Sequence, residues 1–192
     1  MIGRPAFTAL VALLAASSAN AEDTVTIQGA VVTGVGQVNV AAGATNQQAN
    51  AAIISAGGIA TGFGTVSQTL DYAPDSKGRT SATVAPNSFA GSSGWLAVNG
   101  AAGSGNQQAN LAIIALGTTG AAMSDTALSQ ARASHEPTGG PDTGTGANDR
   151  HVAVGDGAFA NSSGLIQVSL IGGDRNSSAN ILALSALGGT GK

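Results

Sequence analysis

Asn46, Gln47, Gln48 and Asn50 recur at the same spacing as Asn106, Gln107, Gln108 and Asn110, and Asn39 and Asn99 precede the two sets at one fixed distance. A side-chain amide carries both a donor and an acceptor. Amides at matched positions of successive copies can therefore pass hydrogen bonds along a column, in addition to any backbone ladder. That is the chemistry of cohesion, not of proton transfer or nucleophilic attack. A third copy keeps Asn176 and Asn180 and puts Ser169, Ser177 and Ser178 where the others have Asn and the Gln pair. The residues expected to hold like to like are thus Asn39, Asn46, Gln47, Gln48, Asn50, Asn99, Asn106, Gln107, Gln108, Asn110, Asn176 and Asn180.

Groups suited to catalysis or metal binding are sparse. His135 and His151 lie with Glu136, Asp142 and Asp149 in or beside a Gly-rich stretch, and their spacing matches no zinc-ligand pattern. Solvated connector is the expected state there. The terminal Gly188-Gly189-Thr190-Gly191-Lys192 resembles the end of a phosphate loop but has Ala186 in place of the first Gly and no Ser or Thr after the Lys. Asn161-Ser162-Ser163 and Asn176-Ser177-Ser178 satisfy the glycosylation pattern where turn or ladder residues are expected. Trp95 and Phe159 could form an exposed adhesive patch, but core or layer contacts are the expected role of such rings. No nucleophile, base and oxyanion donors converge, so the sequence predicts no catalytic, cofactor or metal site.

The elements that must position the amides are legible from the rest of the repeated block. Gly34, Val38, Ala41, Ala42, Gly43, Ala52, Ile53 and Ile54 recur as Gly94, Val98, Ala101, Ala102, Gly103, Ala112, Ile113 and Ile114. Gln37-Val38-Asn39-Val40 alternates polar and apolar as a half-buried strand does. Gly43, Gly103 and Gly173 each open a tight bend, and the segment after the bend ends in a β-branched pair or its equivalent. Ala and Gln are also good helix formers, so Gln47 to Ala56 has a helical alternative. The strand reading is preferred because glycines bracket a strand-length segment.

Charge and proline partition with the repeats. Copies at 30–58 and 88–118 contain no Asp, Glu, Lys or Arg, and the copy at 157–189 has only Asp174 and Arg175. Pro74, Pro86, Pro137 and Pro141 also fall outside the copies, as suits strands that need every N–H. The expected organisation is a signal peptide at 1–21, repeats at 22–58, 88–118 and 157–192, and linkers at 59–87 and 119–156. Within the second linker, Ser124 to Glu136 has helix-like composition and an N-terminal capping Ser, which predicts a short helix; Thr138 to Asn148 reads as flexible chain.

The leader reading rests on Arg4, an apolar run from Ala6 to Ala16 and the small-residue pattern Ala19-Asn20-Ala21, with cleavage expected before Glu22. That run is too short for a span of roughly 20 residues, so no transmembrane segment is expected in the mature chain. Without Arg4, six Lys and Arg face ten Asp and Glu, a balance that argues against nucleic acid as partner. There is no cysteine, so disulfides cannot stabilise the exported protein. Large aromatic side chains are few, and packing must rely on backbone ladders and small residues.

These features predict an all-β chain in which three imperfect repeats stack as a β-solenoid or cross-β unit with irregular linkers. Like residues would lie over like at about 4.8 Å. Soluble solenoids carry polar end caps, and none is evident here. Open edges template another chain, and end-to-end addition of similar faces gives a fibre. The competing expectation is a soluble secreted adhesin that binds a surface or glycan through a lateral face.

The pattern Val-Asn-x-Ala-Ala-Gly-x-x-Asn-Gln-Gln-x-Asn at Val38 to Asn50 and Val98 to Asn110, with a weaker third copy behind a signal peptide, resembles the Fap functional amyloid subunits of Gram-negative bacteria. The resemblance covers about half of the chain. It implies passage through the periplasm and a dedicated outer-membrane export pore. It also implies self-assembly into extracellular fibres that support biofilm, with a minor or nucleating subunit as a further partner.

Overall fold

The computed structural model describes residues 9–16, 22–29, 31–71, 78–123, 127–131 and 150–188. Twelve strands occupy them. A short strand β1 (Ala9–Ala16) precedes three layers. The first layer is β2 (Glu22–Ile27), β3 (Thr33–Ala42), β4 (Gln47–Gly62) and β5 (Thr65–Thr69). The second is β6 (Arg79–Val84), β7 (Ser93–Ala102), β8 (Gln107–Met123) and β9 (Ala127–Ala131). The third is β10 (Arg150–Val154), β11 (Ser163–Gly172) and β12 (Ser177–Leu187).

Strands of one layer pair with their counterparts above and below, never with each other, which gives four parallel sheets: β1-β3-β7-β11, β10-β6-β2, β12-β8-β4 and β5-β9. Every inter-layer pairing is parallel. The register superposes equivalent residues, so Val38 lies on Val98 and Val98 on Val168, and Ile54 on Ile114 and Ile114 on Leu184. Parallel sheets require both faces covered, and each layer meets that demand by folding back on itself. Alternate residues of β3 and β7, including Val38, Val40 and Val98, pack with Val25, Ile27 and Val84 of the neighbouring sheet. On the other side of the serpentine, Ala49, Leu111 and Ile113 pack with Val66. Between these two apolar slabs lies one of mixed character, where Trp95 and Ala97 meet Ala112 and the amides of Asn39 and Asn50 also meet.

The turns require glycine for a steric reason. Gly43, Gly103 and Gly173 all have positive φ, and a Cβ on Gly103 would lie 2.0 Å from the carbonyl oxygen of Gly173. A methyl group there would force the layers apart.

The strands reach beyond the copies seen in sequence: β5, β6, β9 and β10 lie within residues 59–87 and 119–156. The short helix expected over Ser124 to Glu136 is corrected to strand across Ala127–Ala131, which pairs in parallel with Thr65–Thr69. Ala and Leu give that segment helical propensity, but an open ladder on β5 outweighs an intrinsic preference of a few tenths of a kcal/mol per residue. The alternative helix over Gln47 to Ala56 gives way to β4 for the same reason. His135, Glu136, Asp142 and Asp149, the Thr138 to Asn148 stretch and Gly189 to Lys192 lie outside the described residues. Among the described residues, no helix is long and apolar enough to cross a membrane.

Candidate self-assembly interface

The bend and the two strands it joins put the repeated amides into two kinds of contact. The first runs along the stack. Asn46 Nδ2 donates to the Gly103 carbonyl at 2.8 Å while Asn106 N donates to Asn46 Oδ1 at 2.9 Å. One layer on, Asn106 Nδ2 donates to the Gly173 carbonyl at 2.8 Å and Asn176 N to Asn106 Oδ1 at 3.0 Å. Gln48 Nε2 donates to Gln108 Oε1, Gln107 Nε2 to Gln47 Oε1, and Asn180 Nδ2 to Asn110 Oδ1.

The second kind crosses the bend within a layer, and stacking of the copies alone does not predict it. Asn50 Nδ2 donates to Asn39 Oδ1 at 2.8 Å, and Asn110 Nδ2 to Asn99 Oδ1 at 2.9 Å. Asn99 Nδ2 also reaches Asn39 Oδ1 and Asn50 Oδ1, and Asn110 Nδ2 reaches Asn50 Oδ1. Asn39, Asn50, Asn99 and Asn110 therefore form one network that ties two sheets and two layers together. A sequence signal exists: Asn39 and Asn50 are equidistant from the two ends of the bend at 43–46, so a fold at that bend must bring them face to face. Gln48 and Gln108 likewise reach back to the carbonyls of Val40 and Gly100.

Burial differs by layer. Asn99, Asn106, Gln107, Gln108 and Asn110 are all 0% exposed, and every residue from 95 to 113 is buried. Asn39, Asn46, Gln47, Gln48 and Asn50 in the first layer, and Asn176 and Asn180 in the third, are half-buried. The same side chains have thus reached different stages of dehydration: β1 pairs along the outer side of β3, and only a complete further layer on each outer face would bring the ends to the state of the middle. Buried amides are tolerated because nearly all of their hydrogen-bonding capacity is met. Gln107 Oε1 is an exception. By the pattern of Gln107 on Gln47, its donor would come from a glutamine at 177, where the chain has Ser177. Substituting Ser177→Gln gives up the exposed bond from Ser177 Oγ to Gln130 Oε1 for a donor to the buried Gln107 Oε1. It is expected to raise stability by less than about 1 kcal/mol, the net worth of one satisfied hydrogen bond, as thermal unfolding would measure.

Residues outside the predicted set also hold the layers. Trp95 is 3% exposed and its Nε1 donates to Gln167 Oε1 at 2.9 Å, so this ring is an inter-layer contact and not an adhesive patch. Phe89 and Phe159 stack with centroids 5.5 Å apart. Serines form a relay: Val32 N donates to Ser92 Oγ, Ser92 N to Ser162 Oγ, and Ala44 N to Ser104 Oγ. In the third layer Asp174 takes over, accepting from Ser104 N at 2.8 Å and from Arg150 at 2.6 and 3.1 Å.

Such an arrangement can bind what it is made of, namely an extended chain that offers the same amides at the same spacing. A family model described as functional amyloid protein FapB/FapC matches residues 9–187. No solved structure matches the chain.

Proposed function

The chain belongs to the functional amyloid protein FapB/FapC family, and from that premise we propose that it is exported behind residues 1–21 and polymerises outside the cell. The resulting fibres support biofilm formation and adhesion, and their building contact is the amide ladder itself. Export through an outer-membrane pore and association with a nucleating subunit belong to the same reading. The observation that carries it is the contrast between layers: identical amides are fully dehydrated in the middle and half-hydrated at both ends. Unsatisfied strand edges recruit further strands, and an edge that already displays the right side-chain column recruits its own kind.

The reading is tested on purified chain lacking residues 1–21. Aligned fibres should give a meridional reflection near 4.8 Å, with thioflavin binding that grows with the sedimentable fraction. A protein that stays monomeric at high concentration over days would overturn the proposal.

A further inference from the structure

We propose that the fibre is polar: the third layer of one molecule receives the first layer of a second copy, in register, so that Gly173 and Asn176 meet Gly43 and Asn46 of the incoming chain. This inference rests on the self-assembly proposed above and gives it a direction.

The direction is written into the two joints inside the chain. In each, the asparagine after the bend reaches forward to the glycine carbonyl of the following layer and accepts from the backbone N–H of the following asparagine. The bend glycines point the same way. A Cβ on Gly43 would lie 2.2 Å from the Gly103 oxygen, and one on Gly103 would lie 2.0 Å from the Gly173 oxygen. Gly173 and Asn176 hold the same two positions in the third layer, where a Cβ on Gly173 would meet only the amide of Asn176, at 2.9 Å, and that amide donates back to Asn106 Oδ1 at 3.2 Å. The matching carbonyl and N–H are those of Gly43 and Asn46 in another copy. At the start of the strand that leads into each bend the direction reverses. A Cβ on Gly164 would lie 2.1 Å from the Gly94 oxygen and one on Gly94 would lie 2.1 Å from the Gly34 oxygen. Gly34 is therefore the residue on which the Gly164 carbonyl of a preceding copy would rest.

Charge agrees. Asp23, Thr80 and Arg150 share one column, from first layer to third. Stacking third layer on first places Arg150, already paired with Asp174, beside Asp23 of the next molecule, so no like charges meet in that column. Joining two first layers or two third layers would turn the strands antiparallel and break both the asparagine column and the glycine contacts. The serine relay ends in the first layer at Val32 and Ala44. The joint between molecules therefore relies on ladders and asparagine columns, and is weaker than the joints within a chain.

Gly173→Ala blocks the third-layer face and Gly34→Ala blocks the first-layer face. Gly91→Ala is the control, because Gly91 has φ +73 but a Cβ there meets nothing within 4 Å. In the chain from Glu22, each blocked variant should elongate at least tenfold more slowly than wild type, while Gly91→Ala elongates normally. An equimolar mixture of the two blocked variants should stop at a dimer in sedimentation velocity, since one good face remains on each. If Gly173→Ala lacks the β-sheet circular dichroism of the parent, Asn176→Ala takes its place, removing the amide that would reach the Gly43 carbonyl while Asn106 Oδ1 keeps its bond from Asn176 N. Fibres from either blocked variant at the wild-type rate, or a mixture giving only monomers or long fibres, would refute the polar joint. Absence of fibres from wild type would instead refute the self-assembly reading.

Discussion

Replacing Asn110 by Asp is expected to be the most damaging single change in the ladder. Asn110 is 0% exposed, and its Nδ2 donates to Asn50 Oδ1 at 2.9 Å, to Asn99 Oδ1 at 2.9 Å and to the Val98 carbonyl at 3.3 Å. Its Oδ1 accepts from Asn180 at 2.8 Å. An ionised carboxylate would keep that one donor and turn an oxygen on three acceptors. A buried group that loses its partners costs about 1–3 kcal/mol, and more when charged; here the cost should exceed about 4 kcal/mol, a large part of the roughly 5–15 kcal/mol that holds a typical domain together. The same substitution at Asn50, in the half-buried first layer, should cost less.

A pH series separates charge from shape in the Asn110→Asp variant. Burial disfavours the charged carboxyl, so the introduced acid should titrate in the folded chain above its unfolded value. A group whose folded pKa is raised gives back stability below the unfolded pKa, about 4, and loses it as pH rises through the folded one. The variant should therefore recover part of its melting temperature on going from pH 7 to pH 4 relative to the parent protein. An Asn110→Leu variant, with no titrating group, should show no such recovery. Equal pH profiles for the two would show that the loss is one of packing.

The columns are legible from sequence because repetition along the chain becomes repetition along the stack. Val38, Val98 and Val168 can be placed over one another before any coordinates, and so can Asn50, Asn110 and Asn180. Strands outside the copies are not legible, for the same reason inverted. Asp23, Thr80 and Arg150 share a column, as do Val66 and Leu128, but a backbone ladder does not need identical side chains, so no repetition marks them. The loop between β2 and β3 is also shorter than its counterpart between β6 and β7, which breaks the constant spacing. The network across the bend escapes a reading along the stacking axis because it lies in the second dimension of each layer. There the polar slab between sheets forms from Asn39 and Asn50 meeting at 2.8 Å.

Strand β1, within residues 1–21, is expected to control assembly by occupying an edge. Strand β1 pairs with the free side of β3 in parallel, from Ala9 on Val35 to Ala16 on Ala42. On its other side β3 pairs with β7 over Thr33 to Ala42. By the register of β11 on β7, an incoming third layer would use that same stretch, with Gly164 on Gly34 and Gly172 on Ala42. Strand β1 covers most of it, and two strands cannot pair with one edge at once. The full chain should therefore elongate at least tenfold more slowly than the chain from Glu22, with the defect confined to the first-layer face. Seeds of the shorter chain, offered full chains, should gain one subunit at their first-layer end and no more until residues 1–21 are cut away. Full chains retain an unobstructed third layer, so the shorter chain should still add to them. Real-time imaging of seeded fibres with and without proteolytic removal of residues 1–21 measures both effects. Equal growth before and after removal would show that β1 yields its place without cost.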